Sequence, residues 1–356
     1  MALSRREFLA LVGGMAIAGG ALGQAGSVAA KAWSLEDFTR NIQSGGPPKD
    51  GIPPVDRPKY ISAAESAKFL QEKEIVFGLD YQGIVKAYPQ KILVWHEIVN
   101  DEIKSQKLSI TYCPLTGSAV GFRGRSRDGA MLTFGTSGKL VNSNLLMYDR
   151  QTHSQWPQIL GIAIDGKNKG TVLDEIPLVW THWSRWQRRH PDTLVLSTDT
   201  GYFRSYGKDP YGSYDESGGY YDSGEPLFPV MVKDDRFSPK EVVVGLKVNG
   251  KQMALHKQPL RAKKLINTSL GGVPLVAFYD SDLDFVRIFV RQIAGKSTNF
   301  SSEKRRVVDE LTGSLWTTAG RSIEGRAAGT QLKQHPSYDV MWFAWYAFFP
   351  ETRVVF

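Results

Sequence analysis

The chain has 356 residues, 42% of them hydrophobic and 22% charged, which is long enough for two ordinary domains and far from a disordered or collagen-like composition. The formal charge of +8 falls to +7 without the first thirty residues, and no basic run with interleaved aromatics occurs, so nucleic-acid binding is unsupported. One cysteine, Cys113, excludes an intramolecular disulfide framework and any zinc site built on several thiolates.

Ser4-Arg5-Arg6-Glu7-Phe8-Leu9 precedes an uncharged, Gly- and Ala-rich stretch from Phe8 to Ala30. Residues 1–30 therefore read as a twin-arginine export signal, with Val28-Ala29-Ala30 supplying small residues for cleavage and a retained anchor as the alternative. The reading implies the twin-arginine export machinery as a partner, a periplasmic or extracellular location, and no transmembrane span in the mature chain. Residues 31–72 form a lead-in, in which Gly45-Gly46-Pro47-Pro48 and Gly51-Ile52-Pro53-Pro54 mark extended, turn-rich backbone and Ser62 to Glu72 predicts a short helix.

From Glu74 the pattern changes to short apolar runs with two-residue alternation, broken by Gly, Asn and Asp. Strands are predicted over Ile75 to Asp80, Ile84 to Tyr88, Leu108 to Tyr112, Ala119 to Phe122 and Met131 to Phe134. Leu93 to Ile98 also alternates, with Val94, His96 and Ile98 on one face. Ile176 to His190, with Leu178, Trp183 and Trp186 among polar residues, predicts a helix before the strand Leu194 to Ser197.

Sliding the chain along itself exposes an internal repeat. A shift of 167 pairs Gly78/Gly245, Leu79/Leu246, Gly83/Gly250, Ala87/Ala254, Asn100/Asn267, Tyr112/Tyr279 and Phe122/Phe289. It becomes 160 for Asp149/Asp309, Thr152/Thr312, Ser154/Ser314 and Trp156/Trp316, then 159 for Gly166/Gly325, Trp183/Trp342, Trp186/Trp345 and Pro191/Pro350. The expected architecture is mainly β (α+β): a pseudo-two-fold pair of β-rich repeats, residues 73–200 and 239–356, each closed by a Trp-containing helix and separated by a connector over 201–238. Paired Trp read as core anchors, paired Gly as turn positions with unusual dihedrals.

Function is sought where the copies differ. Cys113 faces Asp280 in the second copy and His96 faces Lys263, while Phe134-Gly135-Thr136-Ser137-Gly138 and Asn142-Ser143-Asn144 belong to a stretch that is seven residues shorter there. The candidate site thus falls in the first copy.

Tyr112-Cys113-Pro114-Leu115-Thr116-Gly117, the Phe-Gly-Thr-Ser-Gly run, Leu145-Leu146-Met147-Tyr148-Asp149-Arg150 and Trp342-Phe343-Ala344-Trp345 together resemble the bacterial and archaeal domain-of-unknown-function family numbered 3179. The resemblance covers the chain from about Gly51 onward and brings no reaction with it. Such relatives often carry a second Cys where this chain has Thr116, which excludes a dithiol mechanism here.

Two chemistries remain open beside a buried, inert thiol. Cys113 with His96 as its base would make a nucleophile for acyl transfer or hydrolysis in the cell envelope, with Arg150 facing a substrate anion. Cys113, His96 and Met147, with His153 as a fourth ligand, instead offer the thiolate, imidazole and thioether set of a copper-like metal, in a small-molecule-binding, metal-binding or redox role. Thr116, Ser137, Asn142, Ser143 and Tyr206 are the candidate ligand-binding residues. Gly135 to Gly138 reads as a tight strand connection or a weak anion loop, and Asp149 with Arg150 as an ion pair. The tyrosines from Gly201 to Gly224 read either as a self-packed loop or as a lid. A non-catalytic structural or binding module is the third class.

Overall fold

The computed structural model describes residues 32–303 and 306–356, so the export signal expected over residues 1–30 lies outside the described residues. No described helix is long and apolar enough to cross a membrane.

The chain is mainly β and forms several small sheets. One four-stranded sheet has the order Asp174–Ile176, Ser118–Arg123, Gln106–Cys113, Ile98–Ile103. A five-stranded sheet runs Val179–His182, Ile75–Tyr81, Ile84–Pro89, Leu194–Leu196, Tyr60–Ser62, and its Leu194–Leu196 strand lies parallel to Ile84–Pro89. Farther along the chain, the order Tyr338–Met341, Val242–Val248, Lys251–His256, Arg353–Val355 also places its last strand parallel to its neighbour. A further sheet runs Leu265–Leu270, Val273–Asp280, Phe285–Val290, Gln334–His335. The main apolar core joins both parts of the chain, with Tyr112, Cys113, Leu145 and Trp156 in one cluster with Tyr338, Met341, Trp342 and Trp345.

Several local motifs recur at the sequence shifts. Trp156 and Trp316 each donate Nε1–H to a buried carboxylate seven residues back, Asp149 and Asp309, at 2.9 Å. Each of those carboxylates also accepts the amide of the threonine three residues on, at 2.6 Å. Trp186 donates to Thr193 and Trp345 to Thr352, at 3.1 and 2.8 Å. Trp342 additionally reaches Asp234 of the connector.

Gly83 and Gly250 sit in open hairpin turns at φ +78° and +73°, a backbone region that costs glycine nothing. Gly78 and Gly245 have no such dihedral. A Cβ there would fall 2.3 Å from the Trp186 ring and 2.4 Å from the Trp345 ring, so these two are glycine for space and not for turn geometry.

Four segments differ from the sequence expectation. The helix expected over Ser62 to Glu72 shrinks to Ala63–Ser66, capped by the Ser62 hydroxyl with Glu65 answering back, and the chain then turns away to bury Leu70. Leu93 to Ile98 is not a strand: Gln90–His96 is helical, entered from Pro89 and stopped by Glu97 in the left-handed region at φ +60°. Its Ile92, Leu93, Val94 and His96 are all buried, and a short helix buried nearly all round leaves no 3.6-residue signature to separate it from a strand. Ile176 to His190 divides into the strand Val179–His182 and the helix Trp183–Arg189, because the first stretch pairs with Ile75–Tyr81. The strand placed at Met131 to Phe134 begins at Phe134 and runs on to Val141, with only an isolated bridge at Met131.

Candidate functional site

Cys113 ends the strand Gln106–Cys113 opposite Ser118. Pro114, with no N–H, cannot continue the ladder, so the chain makes one 3₁₀ turn over Pro114–Thr116 and leaves it through Gly117 at φ +53°. The strand Ser118–Arg123 follows directly, so no helix N-terminus faces the thiol.

The thiol is 1% exposed. Its Sγ accepts the Leu145 amide at 3.4 Å and is also hydrogen-bonded by Thr116. Burial, and next the negative charge of Glu97, push its pKa up to about 11, while the Thr116 and Leu145 contacts pull the other way. The resting site therefore holds a neutral thiol.

Beneath this turn lies a fully buried polar cage. Gln158 is its hub, accepting from Ser118 at 2.7 Å and from Asn144 at 2.9 Å, and donating to Thr111 at 2.9 Å. Asn144 donates to the Thr116 hydroxyl at 3.0 Å, and its carbonyl accepts the Ile159 amide at 2.9 Å. Each of these five side chains is fully buried and each is partnered, which is what holding polar groups out of water requires. The strand end at Asp280 shows the contrast. Asp280 pairs with Phe285 as Cys113 pairs with Ser118, and the positions matching Thr111, Thr116 and Ser118 are the buried apolar residues Phe278, Leu283 and Phe285. Asp280 itself spends its charge on Arg287 at 2.7 Å.

The connector tyrosines close the other side. Tyr220 donates to the Leu115 carbonyl at 2.6 Å, and Tyr214 and Tyr221 stack with centroids 3.7 Å apart while their hydroxyls meet that of Tyr112 at 2.9 and 3.1 Å. Asp209 receives Gln90 at 2.6 Å and Tyr221 at 2.9 Å. Burial raises the Tyr112 and Tyr220 hydroxyls far above the ordinary tyrosine range, and Cys113, once ionised at high pH, adds to the shift of Tyr220. A cavity of about 40 Å³ lies in this region, lined by Glu97, Leu115, Thr136, Leu145, Tyr211 and Phe228, with room for a group of about two or three heavy atoms.

The remaining candidate residues are dispersed. Both ring nitrogens of His96 are engaged, Nδ1 with the Pro53 carbonyl at 2.7 Å and Nε2 with the Tyr206 hydroxyl at 2.6 Å. A carbonyl can only accept, so Nδ1–H donates, and in the neutral ring Nε2 then accepts from Tyr206. Tyr206 also meets Thr200 at 2.6 Å, which makes the histidine the anchor of the connector. Met147 is fully buried in the strand Asn144–Asp149, opposite Thr136 and Trp156. His153 lies apart, against Lys49 at 3.2 Å and the Tyr148 ring. Among the described residues no group of three or more His, Cys, Asp and Glu side chains is arranged to hold a metal ion.

Arg150 does not pair with Asp149. It bonds Asp56 of the lead-in at 2.7 Å, while Asp149 is consumed by Thr152, Trp156 and Asn168. Gly135 to Gly138 is no connection between strands but an irregularity inside Phe134–Val141, whose register slips between Thr136 and Lys139; there Ser137 donates to the Leu146 carbonyl. Asn142 and Ser143 form the hairpin turn, with φ +51° and +61°. Asn142 ties the Ala347 carbonyl at 3.0 Å to the Met231 amide at 2.8 Å, and Ser143 donates to Phe228 at 3.0 Å.

Glu97, Thr111, Ser118 and Gln158 escaped the sequence reading. The signal for three of them was present: at the shift of 167, Glu97 faces Lys264, Thr111 faces Phe278 and Ser118 faces Phe285, each a change of chemical kind.

Comparison with curated proteins and with solved structures gives no match. The Cys-Pro-Leu-Thr-Gly turn, its polar cage, the connector and the helices Trp183–Arg189 and Trp342–Phe348 all fall within residues 49–352, the stretch matched by the family model described as Protein of unknown function (DUF3179), and the chain belongs to that family.

Proposed function

We propose that this protein binds a small molecule in a closed site around Cys113 and exchanges electrons with it through that thiol, with the connector tyrosines as lid. The observation that carries the reading is the polar cage beneath the Cys113 turn, built from five buried side chains, beside apolar packing at the matching positions near Asp280. Burying that many polar groups for packing alone gains nothing over Phe and Leu. The small cavity suits a compact oxidant of the peroxide class. In that reaction Cys–SH and ROOH give Cys–SOH and ROH, the Glu97 carboxylate taking the thiol proton as the sulfur attacks the peroxide and passing that proton to the departing alkoxide. Neither an acyl-transfer dyad nor a copper site is favoured by the contacts of His96, whose two nitrogens already serve the connector and the lead-in.

The test treats reduced protein with hydrogen peroxide or with a bulky tertiary hydroperoxide and traps sulfenic acid with a dione reagent. Cys113 should be trapped at least tenfold faster with hydrogen peroxide, and Glu97→Gln should slow it. Equal inertness to both oxidants, or stoichiometric copper in the purified protein that Cys113→Ser removes, overturns the reading.

We further infer that the chain is a tandem duplication whose first copy kept or acquired the site. The shared sheet orders, the parallel closing strands and the matched Trp contacts support this. Export by the twin-arginine route, to the periplasm or beyond, is the corresponding reading of the N-terminus. Arg5→Lys combined with Arg6→Lys should leave the protein in the cytoplasm, and unaltered export of that double variant would refute it.

A further inference from the structure

A second cavity, of about 180 Å³, opens where the two parts of the chain meet. Its walls come from matching positions on either side. Ile75 and Val242 are 167 residues apart, as are Gly117 and Asp284, while Trp180 and Asp339 are 159 apart, as are His182 and Met341. Ile75 and Val242 are alike, but at the other three levels the two sides supply different chemistry. Trp180 of the strand Val179–His182 stands where the other side presents Asp339 of the strand Tyr338–Met341. The result is an aromatic wall and a carboxylate around one space.

Asp339 is 5% exposed. Its Oδ2 is held by Lys257 at 2.5 Å, but its Oδ1 receives no hydrogen bond from any described residue. A buried carboxylate oxygen left unpaired is costly, and it calls for a donor. The neighbouring cations are already committed: Arg261 grips Asp284 with two bonds of 3.0 and 2.7 Å, and Lys257 is spent on Oδ2. Asp215, facing His182 at 3.7 Å, adds a third carboxylate against those two cations. The connector closes the space with Tyr214, whose ring meets Trp180 edge-on at 5.2 Å.

We propose that this cavity binds a small organic cation, a primary amine on a flat or short apolar body. The N–H donors reach Asp339 Oδ1, and the ring face of Trp180 attracts the charge. The assignment does not depend on the thiol chemistry of Cys113, which is not among the residues that line this cavity. A ligand here does touch the same connector, because Tyr214 also bonds Tyr112.

Calorimetric titration of the mature chain with benzylammonium, and with benzyl alcohol as its uncharged counterpart, tests this. The amine should bind at least tenfold tighter than the alcohol, and Asp339→Asn should erase that difference. Because removing a buried carboxylate can impair folding, Val242→Phe provides a second variant: a ring filling the cavity should abolish amine binding while thermal stability is retained. Equal affinity for amine and alcohol, no binding of either at millimolar concentration, or undiminished amine binding in either folded variant overturns the proposal.

Discussion

Raising the pH from 9 to 11 should cost the folded chain about 2 kcal/mol through Cys113 alone, and Cys113→Ser should remove that share of the loss. The thiol's pKa moves from the ordinary 9 to about 11 in the folded state, driven first by burial and then by Glu97. Below pH 9 the sulfur is neutral in both states and favours neither. Between 9 and 11 the unfolded chain releases a proton that the folded chain retains, so the unfolded state gains and stability falls. Buried tyrosines such as Tyr112 and Tyr220 add to the loss at the upper end, and Lys240, which burial pulls down to about 8, acts in the opposite sense. The difference between the native chain and Cys113→Ser, followed by urea unfolding across the range, isolates the thiol. The same shift leaves about a hundredfold less thiolate at pH 8 than an ordinary cysteine has, so alkylation by iodoacetamide should slow by at least that factor until urea unfolds the chain. Rapid labelling of the native protein at pH 8, with a flat difference from pH 9 to 11, would contradict this account.

What the residues disclosed about the fold depended on how much of the signal was local. Hairpin strands such as Ile75–Tyr81 and Ile84–Pro89 are short apolar runs rich in β-branched and aromatic residues and bounded by Gly83, so they could be read directly. The helix Gln90–His96 could not, since burial on nearly every side erases its periodicity. Val179–His182 was hidden for another reason: it is a strand only because Ile75–Tyr81, a hundred residues earlier, pairs with it. The site divides in the same way. Cys113 was conspicuous as a lone thiol before a proline, and its difference from Asp280 singled out the turn beside which the polar cage lies. Which polar residues surround it depends on long-range packing that brings Asn144 and Gln158 beneath Thr116, and no spacing announces that. His96 stood out by ligand type, which says nothing about the partners its nitrogens have here, the Pro53 carbonyl and the Tyr206 hydroxyl.

Replacing Gly78 by alanine should destabilise the protein by about 3 kcal/mol or more, the upper end for overpacking a core, and Gly245→Ala should do nearly the same. The reason is local and alike at both sites. A Cβ on Gly78 would fall 2.3–2.4 Å from three carbons of the Trp186 ring, and one on Gly245 would fall 2.4–2.8 Å from those of Trp345. Neither indole can step aside, since both are buried and each is pinned through Nε1, to Thr193 and to Thr352. Gly83→Ala is the control: its φ of +78° carries strain but nothing lies within 4 Å, so a cost of about 1 kcal/mol is expected. Urea unfolding of the three variants separates steric from dihedral cost, and Trp186→Leu introduced with Gly78→Ala should recover part of the loss, because a smaller side chain frees the space the methyl needs. A Gly78→Ala variant within about 0.5 kcal/mol of the native chain would mean that the Trp186 ring is not the fixed anchor its contacts describe. The matched Trp contacts would then lose their weight as support for a duplicated unit.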